Sequence, residues 1–213
     1  MNYLEICKRA RHESRISGDG PTTVTGQLGV LADVVLAVRD AWRELQMMHE
    51  TWLFLEATAH AELVANGQVY SPTQLNMQSL RRVISIFCGH RQLKQLDWDK
   101  YQSLKRSQPR FGAPTFFCVT PSRQVEFYPS PSEAVGIETR YTLAARELVQ
   151  NSDEPSIPAE YRMIIVWMAV MKLTANESDA VVYQKALEHY DRLLAELQSE
   201  FLPAMDFGRG ALR

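Results

Sequence analysis

Cysteine is scarce. Cys7, Cys88 and Cys118 are odd in number and widely spaced along 213 residues. That excludes a disulfide framework or a cysteine zinc site, and fits a reducing compartment. Charge of one sign is also missing. Lys and Arg number 23 against 25 Asp and Glu, a formal net charge of −2, so there is no overall basic footprint for nucleic acid. The most apolar run, Met163 to Met171, falls far short of the 18 or so residues that span a bilayer. The first residues, MNYLEICKRARHESR, have no apolar core, so no signal peptide is expected.

Catalytic spacing is absent too. His12, His49, His60, His90 and His189 form no H-x-x-x-H pair, and His49-Glu50 lacks the second histidine of a zinc-protease motif. There is no G-x-S-x-G. Gly18-Asp19-Gly20 follows no strand and precedes no Gly-Lys-Ser/Thr, so it reads as a plain loop. Asp97-Trp98-Asp99 sits between Lys94 and Lys100 and reads as a solvated turn at a helix start rather than a metal site. Cys88 and Cys118 lie in strand patterns, where a small buried hydrophobe is expected. The expectation is no catalytic residue, no metal and no cofactor.

What is present is apolar periodicity, with 46% hydrophobic content, ordinary for a globular chain. Tyr3 to Ser14 reads as a short helix, and the glycines from Ser17 to Gly26 as a loop. Thr25 is a candidate cap for a helix from Gln27 to Thr51. Its seam of Leu28, Leu31, Val35, Val38, Trp42 and Leu45 suits packing on the chain's own helices. Asn66-Gly67 predicts a hairpin over Thr58 to Tyr70. Arg82 to Cys88 predicts a strand. A second hairpin joins Thr115–Val119 to Gln124–Tyr128 around Pro121-Ser122-Arg123. Val125 and Phe127 alternate with Glu126 and Tyr128 as in a half-buried strand, and Pro129 and Pro131 end the ladder. Val135 to Tyr141 is another strand.

A polar linker, Asn151 to Ser156, leads to a helix with Pro158 at its first position. That helix is apolar all round, hence buried. The last helix, Ser178 to Ser199, carries the stripe Val182, Tyr183, Ala186, Leu187, Tyr190, Leu193, Leu194 and Leu197. Pro203, Gly208 and Gly210 then mark a tail. The expected class is α+β: a helical bundle from the N- and C-terminal helices with an inserted antiparallel β-region. The expected partition is 1–55 and 151–200 for the bundle, 56–150 for the insert and 201–213 for the tail.

The order of these parts carries a resemblance. A strand, Tyr128-Pro129-Ser130-Pro131, a strand with Glu138-Thr139-Arg140-Tyr141, a linker ending Asp153-Glu154-Pro155-Ser156-Ile157-Pro158 and a buried helix follow Trp52-Leu53-Phe54-Leu55. This resembles the head–tail adaptor, or head-completion, proteins of tailed bacteriophages, over Tyr3 to Phe54 and Phe111 to Leu197. The resemblance implies a structural virion protein, made in the host cytoplasm and placed in the neck. Such proteins form a dodecameric ring beneath the portal protein and extend the DNA channel toward a tail or nozzle protein. It implies genomic DNA passing without specific binding, and no membrane. Mild acidity suits a conduit, since a basic wall would hold the phosphates. It also implies a C-terminal segment reaching the portal. Aromatic and arginine side chains dominate interfaces, so Phe201, Phe207, Arg209 and Arg213 are the candidate partner-binding residues, on the portal or a neighbouring subunit. The alternatives are another neck component, a stopper or tail-completion protein, and an unrelated α+β enzyme or binding protein.

Overall fold

The computed structural model describes residues 1–107, 110–175 and 179–203. The chain divides into two compact units, Met1–Leu55 with Ala145–Arg213, and Glu56–Ala144. The class is α+β, with helices toward both termini and strands between them.

The first unit holds α1 (Tyr3–Glu13), α2 (Val30–Met48), α4 (Met163–Thr174) and α5 (Ala180–Phe201). Asn2 opens α1 through a capping box: its side chain accepts from the Glu5 N–H, and Glu5 Oε2 accepts from the Asn2 N–H, both at 2.9 Å. Tyr3, Ile6, Cys7 and Ala10 are its buried face. The expected seam of α2 holds at Val35, Val38, Trp42 and Leu45, all buried, with Val34, Ala37, Ala41 and Gln46 widening it. At its start the seam fails. Gly26 (φ 68°) and Gly29 (φ 56°) hold the left-handed conformation, so the helix begins at Val30 and Leu28 is left 87% exposed. Thr25 caps nothing; its hydroxyl lies 3.1 Å from that of Thr23.

As its composition requires, α4 is the hub. Ile164 through Val170 are all buried, and the shared core also takes in α1, α2 and α5. The expected proline start is displaced. Pro158 precedes a 3-10 turn, Ala159–Tyr161, and α4 begins at Met163. Helix α5 begins with an Asp179 cap accepting from Val182 N–H at 3.1 Å. Its stripe is only partly covered: Val182, Ala186 and Leu197 are buried, while Tyr190, Leu193 and Leu194 are half-buried. The helix runs two residues past Ser199, to Phe201.

The second unit holds β1 (Glu56–Leu63), β2 (Val69–Tyr70), β3 (Leu80–Cys88), β4 (Arg91–Gln92), β5 (Lys94–Gln95), α3 (Trp98–Ser107), β6 (Phe116–Val119), β7 (Val125–Tyr128) and β8 (Val135–Leu143). Two four-stranded sheets, ordered β1-β8-β3-β4 and β2-β7-β6-β5, enclose one core that includes Leu63, Ile86, Phe117 and Phe127. Between the named strands of the described residues pairing is antiparallel except for β5 with β6, and the isolated Phe111–Ser130 bridge is parallel as well. The β6–β7 hairpin forms as expected, with Arg123 at φ 61° in its turn.

The Asn66-Gly67 hairpin does not form. β1 pairs with β8 and β2 with β7, so the turn carries the chain from one sheet to the other. Asn66 does adopt φ 62°, but its N–H donates to Pro131 O at 2.7 Å. The local turn preference is met while the strand pairing goes to distant partners. β7 is also buried on both faces rather than one. The sheet core takes Val125 and Phe127; α3 covers the other side, with Tyr101 packed on Tyr128 and Cys118 and Lys105 Nζ 3.0 Å from Glu126 Oε2.

Candidate functional site

The chain between the last strand and α4 is tied down by bonds to the N-terminal part of the sequence, between Met1 and Gln46. The buried Gln46 amide reads the Arg146 peptide on both sides: Arg146 N–H donates to Oε1 at 2.9 Å, and Nε2 donates to Arg146 O at 3.1 Å. Trp42 Nε1 donates to the same oxygen at 2.7 Å. The Asn151 side-chain oxygen accepts from Val24 N–H at 2.8 Å, and Tyr3 N–H donates to Asp153 O at 2.7 Å. Arg162 Nη1 donates to Met1 O at 3.0 Å and Nη2 to Glu154 at 2.9 Å. Sequence periodicity missed Gln46 and Arg162 because neither is apolar. The one signal for Gln46 was its position beside Leu45 on the seam.

The C-terminal end of α5 is equally fixed. The Phe201 ring lies 6.1 Å from Phe54 and 5.9 Å from Tyr161, both edge-on. Tyr161 donates to Glu200 Oε2 at 2.7 Å, and that bond, with burial, pushes the phenol up to about 12. Phe201 therefore sits half-buried against the helical core. The other three candidate residues, Phe207, Arg209 and Arg213, lie outside the described residues, as does most of the expected tail.

A groove of about 380 Å³ opens where α2, α4 and α5 meet. Met48, Met168, Met171, Tyr183 and Tyr190 line it, and the Lys172–Glu44 ion pair, 2.6 Å, stands at its edge. Burial, with the nearby carboxylates of Asp191 and Glu44, raises the Tyr190 phenol above its ordinary value. Such a lining offers soft, adaptable contact to an apolar side chain.

Two of the five histidines are packing pieces. His189 stacks on Trp167 at 4.6 Å, and His49 meets the edge of Trp52 at 4.9 Å. Asp97 of the Asp-x-Asp pair accepts from Lys100 at 3.1 Å on the surface. Among the described residues no group of three or more His, Cys, Asp or Glu could hold a metal ion, and no helix is long and apolar enough to cross a membrane.

The family model of the SU10 adaptor protein matches residues 1–208. No curated relative matches the chain.

Proposed function

This chain belongs to the SU10 adaptor protein family, and we propose that it is a structural virion protein, the head-to-tail adaptor of a tailed phage. In this reading twelve copies form a ring beneath the portal, in the neck between capsid and tail, and extend the DNA channel toward a tail or nozzle protein. The family match over nearly the whole chain carries the reading. The helical unit suits it: α4 is enclosed by three other helices, and the strap from Arg146 to Arg162 is bonded to Trp42 and Met1 on one side and to Glu200 of α5 on the other, so a stiff block results. The work is mechanical and needs no catalysis. A balanced charge lets DNA pass without holding its phosphates.

The segment after Leu202 supplies the portal contact. Phe201, held between Phe54 and Tyr161, is the fixed base from which it leaves. Phe207 fills an apolar pocket on the portal or a neighbouring subunit, and Arg209 and Arg213 donate hydrogen bonds around it. Mixing the purified protein with its cognate portal and imaging the product by electron microscopy tests the whole reading. A ring of copies stacked on the portal is expected, and its absence at saturating protein overturns it. Truncation after Leu202 should leave the fold intact and abolish the stacking; unchanged portal affinity sinks the role of the segment alone.

A further inference from the structure

We propose that Leu28, with Val30 beside it, is an apolar knob that seats in the groove between α2, α4 and α5 of a second copy of this chain. Copies then join head to tail. This rests on the ring reading above and names its lateral contact.

The knob is built to stand out. Leu28 is the most exposed large hydrophobic residue among those described, at 87%, and Val30 is 54% exposed. The left-handed Gly26 and Gly29 flank Leu28, and a Cβ added at either would meet no other atom within 4 Å. The loop therefore stands clear of the rest of its unit at both glycines. The sequence around it is uncharged from Pro21 to Ala32, bounded by Asp19 and Asp33. Depletion of charge is the compositional mark of an interface centre.

The hole is built to receive. Its volume of about 380 Å³ exceeds what one leucine side chain fills, so Val30 or the loop backbone enters too. Three methionines give a lining that adjusts to the incoming shape. Tyr183 and Tyr190 add the aromatic contact that interfaces favour.

Position decides which molecule supplies the knob. Leu28 precedes the first turn of α2, whereas Glu44 and Met48 of the groove lie toward its end. The helix from Val30 to Met48 separates them by about 27 Å. A straight helix cannot bring its own ends together, so the knob of one copy meets the groove of the next. Unlike surfaces in contact make a heterologous interface, which closes into a ring when the rotation suits.

The test uses the full chain with Leu28 replaced by photoreactive p-benzoylphenylalanine, mixed in light- and heavy-nitrogen forms and irradiated. Expected are crosslinks from position 28 to peptides holding Met48, Met168 or Met171, with the two isotope forms mixed. Crosslinks within one molecule, crosslinks elsewhere, or none at the highest soluble concentration overturn the proposal. So does capture of the groove methionines by the same probe at position 207, which assigns the groove to the chain's own C-terminal segment. Two surface variants give a second test, with folding checked by circular dichroism. Leu28→Asp removes the knob and Met48→Asp spoils the hole, and each alone should weaken self-association at least about tenfold. Mixed together they retain one intact contact, so heterodimers and nothing larger are expected; a mixture no better than either variant refutes the pairing. Rings on the portal whose position-28 crosslinks land elsewhere refute the knob and leave the adaptor reading standing. Failure of the unaltered protein to form any ring strikes that reading instead.

Discussion

Trp42 offers the sharpest check on how the chain returning from the last strand is joined to α2. Its side chain is 1% exposed, and its Nε1 shares Arg146 O with Gln46 Nε2. Trp42→Ala removes a large buried ring and should cost about 3–5 kcal/mol. Trp42→Phe keeps most of the packing and loses the 2.7 Å bond, but Gln46 still serves the carbonyl. Its cost should be about 1–2 kcal/mol. Gln46→Ala leaves the Arg146 N–H without its Oε1 acceptor and should cost about 1–3 kcal/mol. Combining Trp42→Phe with Gln46→Ala strips both side-chain donors from one part-buried oxygen. The double variant should then exceed the sum of the singles by about 1 kcal/mol or more. Urea unfolding followed by far-ultraviolet circular dichroism reads each value, with the slope monitored so that a change in unfolding behaviour is not taken for stability. A Trp42→Ala cost under about 1 kcal/mol would refute the packing. Additivity within about 0.5 kcal/mol would refute the shared carbonyl.

Three further outcomes are expected. Ser85 Oγ is buried with no hydrogen-bond partner among the described residues, so Ser85→Ala should be neutral or stabilising by up to about 1 kcal/mol in the same urea assay; a clear loss of stability would reveal a partner. Burial pushes the Cys7 thiol from 9.0 up to about 12, which keeps it protonated in the fold. Its share of stability is whole below pH 9 and fades as pH climbs toward 12, so at pH 8 maleimide should label half-buried Cys88 and spare Cys7 until urea is added; equal native labelling contradicts this. The N–H groups of Gln150 and Val149 donate to Asp153 and hold its carboxyl below the usual range. That contribution is present above the ordinary carboxylate value and disappears as pH falls through the lower folded value. Wild type should therefore lose more urea stability than Asp153→Asn between about pH 5 and pH 3, and parallel losses would remove Asp153 from the account.

The helices were legible because burial writes itself as period. The β-branched Ile164 to Val166 would suit a strand, but the length and the Met and Ala content of Met163 to Met171 favour the enclosed helix that forms, and the α2 seam survives from Val35 onward. It fails at Leu28 because a period in residue type does not reveal backbone handedness, and two glycines end the helix before the pattern ends. The β6–β7 turn was legible because its partners are neighbours in sequence. The Asn66 turn misled because its φ was right while pairing was decided elsewhere, β1 by β8 and β2 by β7. The groove was not legible at all. Met48, Met171 and Tyr190 come from three helices, and no single stretch shows that the α5 stripe is wider than the surface it covers. Gln46 was hidden by polarity, since its burial depends on one peptide a hundred residues away.

That separation of a hundred residues explains how the helical unit tolerates a second unit inside it. The insert begins at Glu56 and ends at Ala144, and Glu56 stands opposite Thr142 in the β1–β8 ladder. Directly opposed residues in an antiparallel pair are about 5 Å apart. The two ends of the inserted unit are thus neighbours, fixed by its own sheet and clamped by the 2.7 Å Arg140–Glu56 ion pair. For the helical unit, the gap between Leu55 and Ala145 behaves as a short closed loop rather than a long open one. Loop-closure entropy then adds little, because the sheet has already met it. The Gln46–Arg146 bonds begin where that ladder stops, and they carry the returning chain directly onto α2. No residue of β1 or β8 belongs to the core of the helical unit.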